Sequence, residues 1–233
     1  MATSPSRIAD GIRPQGLLRV GRERMEPGNA GIRSNPQAGP KPAVGGAAPP
    51  TINPDRTADE ICKNVRIGIR AKKLLVAGMK PGQFLTLLVE NRLYADAIRY
   101  MAHALLNREA VWWACLCARS AEAEALETMP TAHRQALGAA VRWVLEPTEA
   151  HRQAAGRSVE PAGTRTSAGA VARAAAFALG QSESHGVGST PPNPILAARM
   201  AAASVLLAAK SSDRLRRFIT VGLDVAYGHN RWD

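Results

Sequence analysis

The chain has 233 residues, a formal net charge of +11 and a sequence pI near 10.4. That length holds one domain or two small ones, and it suffices for a core that needs neither disulfides nor a structural metal. Aromatic residues make up only 4% while alanine is abundant, which argues against a strand-rich fold and for closely packed helices.

In chain order, residues 1–56 come first, with eight Arg/Lys against four Asp/Glu and closely spaced prolines at Pro36, Pro40, Pro42, Pro49, Pro50 and Pro54. Such a stretch buries too little apolar surface to offset its ordering entropy, so residues 1–56 are predicted as a disordered tail and residues 57–233 as a helical domain. Gly16–Val20 is a short apolar patch, read as chance composition before a linear motif. Met1–Arg24 lacks an apolar core, so no secretory leader is expected there.

Thr57-Ala-Asp-Glu60 has the pattern of a capping box. The helix it opens is predicted to run toward Ala77 with Gly78 as its C-cap, and Gly68 weakens its middle enough to allow a break there. Pro81 suits the first position of the next helix, through Val89. Tyr94, Ala97, Ile98, Met101, Ala104 and Leu105 recur at spacings of three and four, an amphipathic helix over Leu93–Leu105.

Asn107 is predicted to cap the following helix, whose segment Ala110–Ala118 carries no charge, hydroxyl, Gly or Pro. A helix apolar on every side belongs at the centre of a helical domain. Together with Leu93–Leu105 it could form a helical hairpin, although no second copy recurs at a fixed period. Further helices are predicted over Thr131–Leu145, Thr148–Gly156 and Ser167–Leu179, with Arg157–Thr166 and Gln181–Pro192 as loops. Asn193-Pro194 opens the next helix, which is short for a membrane span and carries Arg199. Ser211 or Ser212 caps the last, with Gly228 at its end. The expected architecture is all-α: one compact domain of about eight or nine helices, with orthogonal or solenoid-like packing.

The chemistry is mostly negative. His103, His133, His151, His185 and His229 have no second His or Cys at ligand spacing, so neither a metal site nor a cofactor is predicted. Cys115 and Cys117 lie about 200° apart on a helix, which disfavours their pairing and suits a reducing compartment such as the cytoplasm. Lys63 beside Cys62 is weak ground for an activated thiol, because helix neighbours point about 100° apart. His185-Gly-Val-Gly-Ser189 lacks the Lys-Ser/Thr ending of a phosphate loop. Trp112 and Trp113 read as core before interface.

One constellation suggests binding. On a continuous helix Lys63, Arg66, Arg70 and Lys73 would span about 80° of its circumference and form a basic, partner-binding stripe. The leading expectation is therefore a non-enzymatic interaction or scaffold protein with a protein partner. The alternatives are a basic protein that binds nucleic acid or an anionic membrane surface, without a transmembrane segment, and an enzyme with a pocket near His185.

At Glu109-Ala-Val-Trp-Trp-Ala-Cys-Leu-Cys-Ala-Arg119, and again at Phe218-Ile-Thr-Val-Gly-Leu-Asp-Val-Ala-Tyr-Gly228 with Trp232, the chain resembles a family of uncharacterised bacterial all-helical proteins. The resemblance covers roughly residues 80–233. It implies an all-α fold and, as a further alternative, an accessory role in a bacterial secretion system. It carries no catalytic residue over to this chain.

Overall fold

The computed structural model describes residue 52 and residues 56–123, 129–180, 191–230 and 232, which lie in one compact unit, Val44–Asp233. Apart from Ile52 and Arg56, the tail predicted over residues 1–56 lies outside the described residues, as does His185. The described residues form eleven helices and no strand. These are α1 (Ala58–Cys62), α2 (Ile69–Leu74), α3 (Pro81–Glu90), α4 (Tyr94–Ala104), α5 (Asn107–Glu122), α6 (Thr131–Leu145), α7 (Glu149–Arg157), α8 (Val159–Ala162), α9 (Ser167–Phe177), α10 (Pro194–Ala208) and α11 (Ser212–Ala226). None of them is long and apolar enough to cross a membrane.

Helix starts follow local chemistry. The Thr57 hydroxyl accepts from the Glu60 amide while the Glu60 carboxylate accepts from the Thr57 amide. Thr148, Asn193 and Ser211 cap α7, α10 and α11 in the same sense. The helix opened by Thr57 does not reach Ala77, however. It stops at Cys62, and a connector over residues 63–68 leads into α2. Val65 and Ile67 explain the break. Both are buried, and residues two apart share a face on an extended chain but point about 200° apart on a helix. Gly68 then serves as the extended N-cap of α2, its amide held by the Asp96 carboxylate of α4 at 3.1 Å.

The segment predicted as a loop over Arg157–Thr166 contains α8, which buries Val159 and Ala162. Asn107 is the first residue of α5 and not its cap, a place taken by Leu106. The Asn107 amide instead donates to the Pro194 carbonyl at the start of α10, 3.3 Å away.

α5 lies at the centre, against α6, α9, α10 and α11. Cys115 and Cys117 point to different sides of it and both are buried, as a helix enclosed on more than one face requires. α4 and α5 touch each other little despite their short connection; both pack instead on α10 and α11, so they are not a helical hairpin. The most extensive helix pair is α9 with α10. Its interface is mainly alanine, and small side chains let the two axes approach closely. Inside it the Ser204 hydroxyl donates to the Ser167 carbonyl at 2.9 Å, and the Ser167 hydroxyl to the Ser204 carbonyl at 3.1 Å.

The two blocks that carry the family resemblance meet in space. Trp113 is fully buried and donates its indole N–H to the Phe218 carbonyl at 2.7 Å. Half-buried Trp112 donates to the Asn230 carbonyl at 2.9 Å and stands edge-to-face with Trp232, ring centroids 6.3 Å apart. The Arg108 guanidinium lies 4.4 Å above the Trp232 ring and caps the end of α6 through the Val144 and Leu145 carbonyls. Both indoles therefore fasten the closing segment to α5.

Candidate arginine cleft

α4 and α10 run against each other, and their charged residues fall on one side. Arg99 and His103 are four apart on α4 and share a face. Arg199 occupies the corresponding place on α10, flanked by Ala202, Ala203 and Leu206. The connector between α1 and α2 closes the third side with Val65 and Arg66. The result is a cavity of about 180 Å³ whose lining, among the described residues, has three arginines and a histidine but no carboxylate, hydroxyl or thiol.

Asp96 sets this geometry from just outside the lining. It accepts from the Gly68 amide and from Arg99 Nη1, at 3.1 and 3.2 Å. That one carboxylate ties the connector to α4 and so holds Arg66 beside His103. Among the described residues no carboxylate stands within ion-pair distance of Arg66 or Arg199. Among the described residues Arg199 makes a long contact to the Asn64 carbonyl, 3.5 Å.

His103 reports the resulting field. Burial, and then the charges of Arg199 and Arg56, push its imidazole down from 6.5 to about 4, so the ring is neutral at pH 7. An unfolded chain takes up this proton near 6.5, and the folded one only near 4. The native state therefore binds fewer protons in that window, and its stability falls as pH drops through it. At ~1.4 kcal/mol per pH unit, the loss attributable to His103 is up to ~3 kcal/mol. Urea unfolding of wild type and His103→Gln between pH 7 and 4 is expected to show a shallower acid decline in the variant; parallel curves would rule out this origin.

A wider cavity of about 630 Å³ adjoins the first and shares His103. Arg56, Asn64, Asn107, Arg108 and Glu109 supply polar wall. Leu106, Leu179 and Ile195 add apolar wall and are exposed by 57%, 55% and 37%. Asn107 Oδ1 is buried there without a hydrogen-bond partner among the described residues. A third cavity, of about 210 Å³, lies between α5 and α6 and is chiefly apolar, with Trp112, Leu116 and Leu137 in its wall.

Of the stripe residues, only Arg66 lines the cleft. Lys63 caps the end of α1, Arg70 and Lys73 lie on α2, and all four are exposed. The helix break at residues 63–68 interrupts the continuous helix on which the stripe was placed. Arg56, Arg99, His103 and Arg199 were missed because they come from separate segments; the local signals were the four-residue spacing of Arg99 and His103 and a lone charge, Arg199, in an apolar run.

The thiols are not poised for reaction. Burial, with a further contribution from Asp59, pushes Cys62 up to about 11, the reverse of activation by Lys63. Burial raises Cys115 to about 12 and holds Cys117 well above its ordinary value. No group of three His, Cys, Asp or Glu among the described residues is placed to hold a metal ion.

Over residues 84–226, more than half its length, the chain matches a protein family described as a family of unknown function, DUF6931. The matched region contains Arg99, His103 and Arg199 but neither Arg56 nor Arg66. No curated protein and no solved structure matches the chain.

Proposed function

The chain belongs to that family of unknown function, and on this premise we propose that it is a non-enzymatic interaction protein that captures an acidic segment of a protein partner in the arginine cleft. One observation carries the reading: Arg66, Arg99 and Arg199 converge on a single concavity, two of them without an acidic counterpart among the described residues. Like charges held together oppose one another and are relieved by an anion. The lining offers donors and a neutral imidazole but no nucleophile, which favours binding over turnover. The free thiols of Cys62, Cys115 and Cys117 suit a reducing compartment, in keeping with a cytoplasmic protein.

Nucleic acid is the second reading, supported by the net charge of +11. A polymer backbone is held by a track of spaced cations, and binding then falls steeply with salt. The test is affinity capture from the native cell with wild type, Arg66→Glu/Arg199→Glu and Lys63→Glu/Lys73→Glu. The first double variant is expected to lose a protein partner that the second retains. A partner indifferent to both, or nucleic acid released in step with rising salt, overturns the proposal.

A further inference from the structure

We propose that the arginine pocket takes a phosphate monoester, with the carrier of that phosphate lying along the adjoining wider cavity. The inference rests on the cleft being the binding surface, and it specifies the group recognised there.

Charge comes first. Arg66, Arg99 and Arg199 line one small cavity, and Arg56 adds its field from the neighbouring one. Asp96, just outside the lining, is already engaged by Gly68 and Arg99, and Glu109 stands in the wall of the wider cavity and not of this one. A carboxylate brings one negative charge to this excess. A phosphate monoester brings about −1.5 to −2 at pH 7, with three acceptor oxygens. Guanidinium groups meet such oxygens two at a time through planar forks, and Arg99 keeps donors beyond the one given to Asp96.

Size comes next. A volume of about 180 Å³ holds one head group and little more. Lys63, Arg70 and Lys73 are not among the lining residues. Of the two arginines in the wall of the wider cavity, Arg108 is engaged by the Val144 and Leu145 carbonyls. That leaves Arg56 alone and, among the described residues, no track of spaced cations for a polyphosphate backbone. The carrier is constrained by the second cavity. Its wall presents Leu106, Leu179 and Ile195 to solvent. A phosphoserine or phosphothreonine peptide supplies the phosphate and apolar neighbours at once. A small phosphorylated metabolite supplies the same head group from another source.

The test is calorimetric titration of the full chain with phenyl phosphate, a phosphoserine peptide, its unphosphorylated twin and a glutamate-substituted peptide. His103 is followed in parallel by NMR. Both phosphate ligands are expected to bind at a ratio of one, with Arg66→Gln and Arg199→Gln each weakening them about tenfold or more. Lys63→Gln and Lys73→Gln are expected to leave binding unchanged. Bound phosphate is expected to move the His103 titration upward from about 4, because an anion favours the protonated ring, a change that lost packing alone would not produce.

A phosphopeptide that binds more tightly than phenyl phosphate supports a protein source. Phenyl phosphate bound without any gain from peptide supports a free metabolite, and overturns the protein-partner reading while keeping the pocket assignment. A glutamate peptide that binds through Arg199 as tightly as the phosphopeptide overturns the phosphate assignment and leaves the interaction reading standing. Phosphate binding insensitive to Arg66 and Arg199, or no binding by any ligand, overturns the assignment outright.

Discussion

Trp113→Ala is expected to destabilise the protein by about 3–5 kcal/mol, measured as a fall in unfolding free energy in urea or guanidinium. For a domain with ~5–15 kcal/mol in total, that is about a fifth or more of its stability. The ring is fully buried and its N–H donates to the Phe218 carbonyl, so truncation opens a cavity and removes a buried bond. The ring also fits against Gly222. A Cβ on Gly222 would stand 2.2 Å from Met101 Sδ and 3.0 Å from Trp113 Cε2 and Nε1. Gly222→Ala alone is therefore expected to cost about 1–3 kcal/mol by overpacking. In the double variant the cavity accepts part of the new methyl, and the costs should sum to less than their total. Strict additivity, or a Trp113→Ala loss below ~1 kcal/mol, would contradict the placement of α11 on Trp113.

That contact also accounts for what was legible in the sequence. The tryptophan block and the closing Phe218–Gly228 block read as separate signatures more than ninety residues apart. In the fold they are partners, so the resemblance they carry follows a packing arrangement. Helix identity was equally legible where the cause is local: Thr57, Thr148, Asn193 and Ser211 each accept from an amide three residues on.

Local rules failed where tertiary contacts decide. Gly68 marks a weak point in the sequence, but the inward turn of both Val65 and Ile67, which ends α1 and interrupts the helix of the predicted stripe, is decided by tertiary packing. The cleft is a tertiary object. Arg66 reaches it from a connector, Arg99 and His103 from α4, and Arg199 from a helix nearly one hundred residues later. A sequence displays each of these charges as ordinary surface, and only the crossing of α4 with α10 makes them neighbours.

Glu149→Ala is expected to cost a further ~3–5 kcal/mol at a site remote in sequence from the cleft. Arg152 is only 3% exposed. Its Nε and Nη2 donate to the two Glu149 carboxylate oxygens at 2.6 and 2.8 Å, and Nη1 donates to the Ala176 carbonyl, joining α7 to α9. Glu149 is the first residue of α7, where the helix dipole favours its charge, and it also accepts from Gln153 at 2.9 Å. Removing it leaves a guanidinium buried without its counter-charge, which costs more than the intact pair contributes. Arg152→Met removes the charge itself and keeps an apolar stem against α9, so it should be the milder change. Combining the two should recover much of the Glu149→Ala loss, because no charge is then stranded. The pair is largely out of water, so the Glu149→Ala loss should change little between low and high salt. If Arg152→Met proved as damaging as Glu149→Ala, the bond to Ala176 would be the stronger element, and α7 would be held to α9 by that hydrogen bond instead of by charge.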